Sequence, residues 1–351
     1  MRTLDMVDLR LSNLHHRRLN QILHTLITQA LHSASEGYLA NCAQSIEPIM
    51  DVNAGMRYLT ECLVCSGTSF TSCMESTFAG SPQQAARFFL ANRQGVVHGR
   101  IQRCNDCGFT FTNPQFFPHD YDEIYTHAPK PTDSKINLHA GDARRFKRLA
   151  RLVRSDVGNV GRFLDFGCGR GGFLLAMDDP AGIGFELEER GIFSVGRSQI
   201  KTGHFLDMAG SPGFEEGSFD LITSFDVFEH LPDLDQYVHA LSALLKPGGH
   251  LVITVPDIGR WNAKLAGNGW NMYLLEHLWY FNRQTLRAFM RRAGFHEIHH
   301  RILPYDAPVA HIVRRVAQTY KLPVPELGPK LSSIVVPVPI GLMYGAFKLE
   351  G

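Results

Sequence analysis

The sequence predicts an α/β fold, a doubly wound and mostly parallel sheet, preceded by a small cysteine-bearing module. Three observations predict it. Apolar Phe163-Leu164-Asp165-Phe166 runs into Gly167-Cys168-Gly169-Arg170-Gly171-Gly172 and then Phe173, the pattern of a strand, a glycine turn and an opening helix. Short apolar runs then alternate with helical periodicity, which places a ligand crevice at the carboxyl ends of the strands. Upstream, Cys62-Leu63-Val64-Cys65 and Cys104-Asn105-Asp106-Cys107 form two Cys-x-x-Cys pairs.

At the N-terminus, Leu11, Leu14, Ile22, Leu23, Leu26, Ile27 and Leu31 recur at helical spacing, with His15, His16, Arg17 and Arg18 on or near the wet side. This amphipathic helix reads either as a docking element or as an appended leader. Each cysteine pair lets a tight turn offer two sulfurs to one tetrahedral ion, so the segment reads as a zinc ribbon, against the plainer reading of buried free thiols. Thr68 to Arg100 must then loop out as a hairpin or helix. Four cysteines close the tetrahedron and leave no open position, so such a zinc is structural. Cys42, Cys73 and Cys168 are left over; Cys168 reads as a small residue that fits the turn.

Phe146, Leu149, Leu152 and Val153 mark a helix before the first core strand, and Phe173, Leu174 and Met177 the one after it. Ala181 to Glu186 reads as the second strand. Tyr237, Leu241, Leu244 and Leu245 mark a helix ahead of a Pro247-Gly248-Gly249 turn, and His250 to Val255 a buried strand. Ile334 to Phe347 is too short for a bilayer and contains Pro337 and Pro339, so it reads as a turn feeding a last strand.

With 351 residues, 44% hydrophobic, 20% charged and a formal net charge of +1, the chain reads as a soluble enzyme with little attraction for a phosphate polymer. No signal-peptide pattern is present. A reducing, cytoplasmic compartment is the default, in which seven cysteines need an explanation other than disulfides.

Gly167, Gly169 and Gly172 also satisfy the G-x-G-x-x-G spacing of a dinucleotide turn, so the acid decides the cofactor. A carboxylate at the strand end repels a pyrophosphate and attracts the ammonium and sulfonium of S-adenosylmethionine. Asp165 therefore favours the cationic ligand. Glu186, about 20 residues past the turn, could grip a ribose diol in either case.

Here the chain resembles the class I S-adenosylmethionine-dependent methyltransferases. The glycine turn, Gly217 to Ile222, Asp226 to Asp233, Leu245 to Leu251, and Glu276 to Phe281 leading to Ala293-Gly294-Phe295 follow that family's order. The resemblance implies a seven-stranded Rossmann-like sheet and a cofactor site of Asp165, Gly167, Cys168, Gly169, Glu186, Asp207, Met208 and Phe225. Arg103 to Pro114 is similar to the N-terminal segment of a subgroup that includes sugar C-methyltransferases, with structural zinc on Cys62, Cys65, Cys104 and Cys107. Met56 to Cys62 resembles a chain start in this family. Expected boundaries are a helical leader over 1–55, appended or disordered, a zinc-ribbon-like module over 56–130 and a methyltransferase domain over 131–351.

The expected reaction moves a methyl group to a carbon or oxygen of a small acceptor such as a sugar, a polyketide-like or a phenolic intermediate. An acceptor with a proton needs a base, and an imidazole titrates near neutrality, so His230 with Glu229 beside it is the catalytic candidate. Asp226-x-x-Glu229-His230 also resembles a divalent-metal motif of some O-methyltransferases. The plainest reading is that the pair caps the loop. His277, Trp279 and Tyr280 would roof the acceptor pocket, with Trp279 and Phe281 as an apolar plug. Trp261, Trp270 and Tyr273 would form a lid hinged at Gly259, Gly267 and Gly269. Rival classes are a nicotinamide-dependent oxidoreductase and a non-catalytic zinc-ribbon adaptor, which would need neither Asp165 nor Glu186.

Overall fold

A computed structural model of the chain describes residues 55–89, 97–129, 140–158, 160–187, 196–309, 313 and 334–351, so all but the last residue of the expected leader lies outside the described residues. Strand β1 (Phe70–Met74), β2 (Ile101–Cys104) and β3 (Thr110–Thr112) make an antiparallel meander. The looped-out stretch between the cysteine pairs thus contains a strand, and also a short helix, Pro82–Ala85, whose Ser81 side chain caps Gln84.

The large sheet is built from β4 (Phe163–Phe166), β5 (Gly182–Glu186), β6 (Gln199–Thr202), β7 (Phe219–Phe225), β8 (Leu245–Pro256), β10 (Phe295–Pro308) and β11 (Val335–Leu349). Its order is β10-β11-β8-β7-β4-β5-β6. Strands β6, β5, β4, β7 and β8 run parallel, while β11 is antiparallel to both β8 and β10. The expected seven-stranded, mostly parallel sheet is the one observed. Because β4 lies between β5 and β7, the chain winds outward on one side and returns to the other, opening a crevice at the carboxyl ends of β4 and β7.

Helices cover both faces, as parallel strands require. Ala140–Val157 buries Leu149, Ala150 and Val153, and Gly172–Met177 buries Phe173, Leu174 and Met177 on one side. On the other, Leu234–Leu244 buries Val238 and Leu241, and Arg283–Arg292, capped by Asn282, buries Leu286, Phe289 and Met290.

Two sequence expectations are corrected. The Pro247-Gly248-Gly249 turn is taken up inside β8 as an irregularity, because Leu245 still pairs with Phe219 before the register resumes at Leu221↔His250. The segment from Val335 is strand throughout. Pro337 lies opposite Asp306 of β10, beyond Leu342, where pairing with β8 begins, so its missing N–H removes no bond to β8.

Strand β9 (Trp279–Tyr280) leaves the catalytic half and pairs with β3, Thr110↔Tyr280 and Phe111↔Trp279, completing a four-stranded sheet β1-β2-β3-β9. Phe109 packs on Phe281 at 4.9 Å and stacks on Trp279 at 6.2 Å, and Phe281 meets Phe289 at 5.8 Å. Truncating a buried aromatic of this kind costs about 3–5 kcal/mol. The cysteine-bearing segment is therefore bonded into the rest by an aromatic seam, reinforced by the Arg57–Asp233 ion pair and by Arg292 donating to the Leu63 carbonyl at 2.9 Å. No helix among the described residues is long and apolar enough to cross a membrane.

Candidate active site

At the end of β4 the chain needs left-handed backbone: Gly167 has φ +71° and Gly169 φ +53°. A Cβ on Gly167 would lie 2.4 Å from Val227, whereas one on Gly169 would meet nothing within 4 Å. The first glycine is required by packing and the second leaves open space on the crevice side. Amides of Gly167 and Cys168 both donate to the Phe185 carbonyl at 2.9 Å, which pins the turn to β5. Gly169 N–H donates to Glu186 Oε2 at 2.7 Å, so the β5 carboxylate sits directly beside the turn.

Asp165 is only 2% exposed, and its Oδ1 accepts from Thr223 Oγ1 at 2.7 Å. Burial pushes its carboxyl up to about 7; the Thr223 hydroxyl opposes this and the Glu186 charge adds to it. Without a cation nearby the buried group holds its proton up to neutrality. Cys168 is buried too, and burial, then the Asp165 and Glu186 charges, pushes its thiol up, consistent with a filler and not a nucleophile. Phe225 ends β7 with its ring 4.8 Å from Phe173. Asp207 and Met208 lie on the short helix Phe205–Met208 after β6, with Asp207 exposed. All eight cofactor candidates thus stand at or just past the carboxyl ends of β4 to β7.

Past β7, Asp226 takes a left-handed φ of +58°, and its carboxylate accepts from Thr254 Oγ1 and from Arg145 Nη2. Glu229 and His230 follow on a single turn, Phe228–His230. The Glu229 side chain is buried and its Oε2 has no hydrogen-bond partner among the described residues. Burial, then the charges of Asp226 and Glu276, holds Glu229 well above the usual carboxylate range, with Arg145 opposing. His230 Nδ1 faces the Glu276 carbonyl at 3.0 Å and must donate to it, so that in the neutral ring Nε2, 3.9 Å from Glu229 Oε1, is the lone-pair nitrogen. His277 is fixed the same way, Nδ1 donating to the Met272 carbonyl at 2.8 Å. The two imidazoles meet edge to face at 4.7 Å.

One ligand atom from each of Glu229, His230 and His277 lies within 4.8 Å of the others. This differs from the Asp226, Glu229 and His230 set suggested by the motif, because Arg145 and Thr254 already engage the Asp226 carboxylate. His277 was expected only in the roof, and Arg145, Thr223 and Glu276 were not singled out. No spacing in the sequence marks these residues; the fold brings them together.

The four paired cysteines do converge. Cys62 and Cys107 Sγ lie 3.6 Å apart, Cys65 and Cys104 Sγ 3.5 Å apart, and all four fall within 4.8 Å. Sulfurs about 2.3 Å from a tetrahedral zinc would be close to such separations, so the donor set fits that ion. Burial pushes Cys107 up to about 11 and also raises Cys62. At Cys104 burial acts upward too, but backbone N–H groups of Cys107 and Asp106 outweigh it and the thiol is lowered.

The lid expectation fails at Trp270, which is 1% exposed and packed against Tyr273 and Tyr280 in a cluster with Met74 and Ile101. It is an anchor under the small sheet. Trp279 and Phe281 are the buried plug expected of them, with Trp279 Nε1 donating to the Leu231 carbonyl at 2.7 Å.

Residues 139–300 match the family model described as a methyltransferase domain. The ubiquinone biosynthesis O-methyltransferase of Bordetella avium (strain 197N) is 32% identical over 120 residues, which are 32% of this chain and 48% of that protein. The protein of the same name from Alkalilimnicola ehrlichii (strain ATCC BAA-1101 / DSM 17681 / MLHE-1) is 33% identical over 129 residues, 33% of this chain and 49% of its own length. The chain spans about half the length of these curated relatives. Among solved structures, the Burkholderia thailandensis 1,6-didemethyltoxoflavin-N1-methyltransferase, with bound 1,6-didemethyltoxoflavin and S-adenosylhomocysteine, is 15% identical, covers 70% of this chain and 98% of its own, and has a TM-score of 0.40, too slight a likeness to argue from.

The buried carboxyl makes stability depend on pH. Asp165 titrates near 7 folded and near 3.8 as a free group, so the folded state binds the extra proton; the contribution of this group to stability is greatest below about pH 4 and falls as pH rises to 7. Asp165→Asn should flatten that decline and stabilise the ligand-free protein at pH 8 by roughly 2–4 kcal/mol, measured by urea unfolding from pH 4 to 8. A variant less stable than wild type at pH 8 would contradict the assignment.

Proposed function

We propose that the protein, whose residues 139–300 match a methyltransferase-domain family model, is a class I S-adenosylmethionine-dependent methyltransferase that moves a methyl group from that donor to a carbon or oxygen of a small-molecule acceptor. The observation that carries the reading is the buried Asp165 beside the Gly167–Gly169 turn, with Glu186 alongside. S-adenosylmethionine supplies an electrophilic methyl on a positively charged sulfur. Asp165, Gly167, Cys168 and Gly169 would hold its methionine end, Glu186 its ribose, and Asp207, Met208 and Phe225 the adenine side. A pyrophosphate set against Asp165 would keep that carboxyl protonated and gain no attraction from it, whereas a sulfonium donor gains by ionising it, which disfavours the oxidoreductase reading.

The displacement is in line, so the protein mainly aligns donor and acceptor. His230 Nε2 takes the acceptor's proton, while the Glu276 carbonyl holds the tautomer that leaves this nitrogen basic. Glu229 orients the acceptor through its unpartnered Oε2. The same carboxyl, one oxygen of which lies within 4.8 Å of ligand nitrogens of His230 and His277, favours a second reading in which a divalent cation there lowers the pKa of an acceptor hydroxyl. Under either reading Cys62, Cys65, Cys104 and Cys107 hold a structural zinc. The segments 1–55, 56–130 and 131–351 serve as leader, cysteine module and catalytic domain of a cytoplasmic enzyme whose partner is a small molecule and not nucleic acid.

With methyl-labelled donor and a small-molecule extract as acceptor source, wild type should transfer label, and His230→Ala should lose about 10²–10⁴-fold in rate. Dependence of the rate on added divalent cation separates the two readings of Glu229. Absence of label from every acceptor fraction, with pyridine nucleotide raising the Tm instead, would overturn the proposal. Metal analysis of the purified protein should find one zinc per chain, and Cys104→Ser should lose it and melt at lower temperature; a metal-free wild type of equal stability would remove zinc from the account.

A further inference from the structure

We propose that Thr112, on the cysteine-bearing sheet, is a positioning residue for the acceptor side of the site, acting through one peptide unit, that between His277 and Leu278. Thr112 Oγ1 donates to the His277 carbonyl at 2.9 Å, and Tyr280 OH donates to the same oxygen at 3.1 Å. Both of that oxygen's lone pairs are thereby used. On the other side of the same peptide, Leu278 N–H donates to the Glu229 carbonyl at 2.7 Å. The plane of this peptide cannot tilt without breaking a bond at one end or the other.

The clamp joins parts far apart in sequence: Thr112 and His277 are separated by 165 residues. Thr112 is 3% exposed and Tyr280 1%, so neither hydroxyl has water as a ready substitute. Thr112 N–H also donates to the Leu278 carbonyl at 2.9 Å, extending the β3–β9 pairing by one residue. A valine would fill a buried strand position equally well; the hydroxyl is what reaches His277. The peptide so held carries the His277 imidazole, which meets His230 edge to face at 4.7 Å, and it fixes the main chain of Glu229. The cysteine module thus sets the distance between the groups that would receive the acceptor, without touching it.

This inference rests on the methyl-transfer reading of Glu229 and His230, and its test separates the two. In the full chain, Thr112→Val should speed hydrogen exchange at the Leu278 amide about tenfold. It should also lower label transfer into the small-molecule extract by about tenfold or more. Donor affinity by calorimetry should change less than about twofold, because the glycine turn shares no partner with Thr112. Thr112→Ser, which keeps the hydroxyl, should restore both exchange and transfer; should Thr112→Val not fold, Tyr280→Phe removes the other hydroxyl from the same carbonyl and carries the test. Unchanged Leu278 exchange, or faster exchange with undiminished transfer, overturns the proposal. If wild type itself transfers no label, the methyl-transfer reading fails, and the Leu278 amide alone decides whether the clamp exists.

Discussion

A carboxyl group buried between β4 and β7 is the constraint around which the site is arranged. Asp165 has one hydroxyl partner, Thr223, and burial holds its proton up to about pH 7. An acid in that condition weakens the ligand-free fold, and a positive ligand relieves it. The switch point between β4 and β7 supplies the crevice, and the left-handed glycines bring backbone up to it. Electrostatics and topology therefore select the same ligand position, and only the sign of the charge separates a sulfonium donor from a dinucleotide.

The second organising feature is a strand that changes sheets. After β8 the chain enters the small sheet at β9 before returning to the large sheet at β10. That excursion places His277 two residues before Trp279, where the β3–β9 pairing ends, and brings Glu229, His230 and His277 together. The aromatic seam of Phe109, Trp279 and Phe281 makes the excursion rigid, since all three rings are buried. A cysteine module that looked separable in sequence is in this way part of the wall of the candidate site.

Local chemistry was legible in the sequence and long-range assembly was not. The glycine turn, Glu186 at the end of β5 and each Cys-x-x-Cys pair follow from short spacings, because each is decided locally; the meeting of the two cysteine pairs across 45 residues was inferred from their matching spacing and is made by the antiparallel pairing of β1 with β2. The motif resemblance grouped Asp226 with Glu229 and His230, but a motif gives residue types and not directions: Arg145 engages the Asp226 carboxylate from a helix 81 residues upstream, and the ligand atoms that meet are those of Glu229, His230 and His277. Trp270 among glycines looked mobile, but the rings of Tyr273 and Tyr280 bury it. Pro337 suggested a turn because a single sequence does not reveal which edge of a strand lacks a partner.

The most direct measurement is the proton balance of donor binding. S-adenosylmethionine should be titrated calorimetrically near pH 6 in two buffers of different ionisation enthalpy, with wild type and with Asp165→Asn. If a positive sulfur and ammonium drive Asp165 to ionise, wild type should release about one proton per donor bound and the variant close to none. Binding without proton release, or a pyridine nucleotide binding where the sulfonium donor does not, would contradict the account.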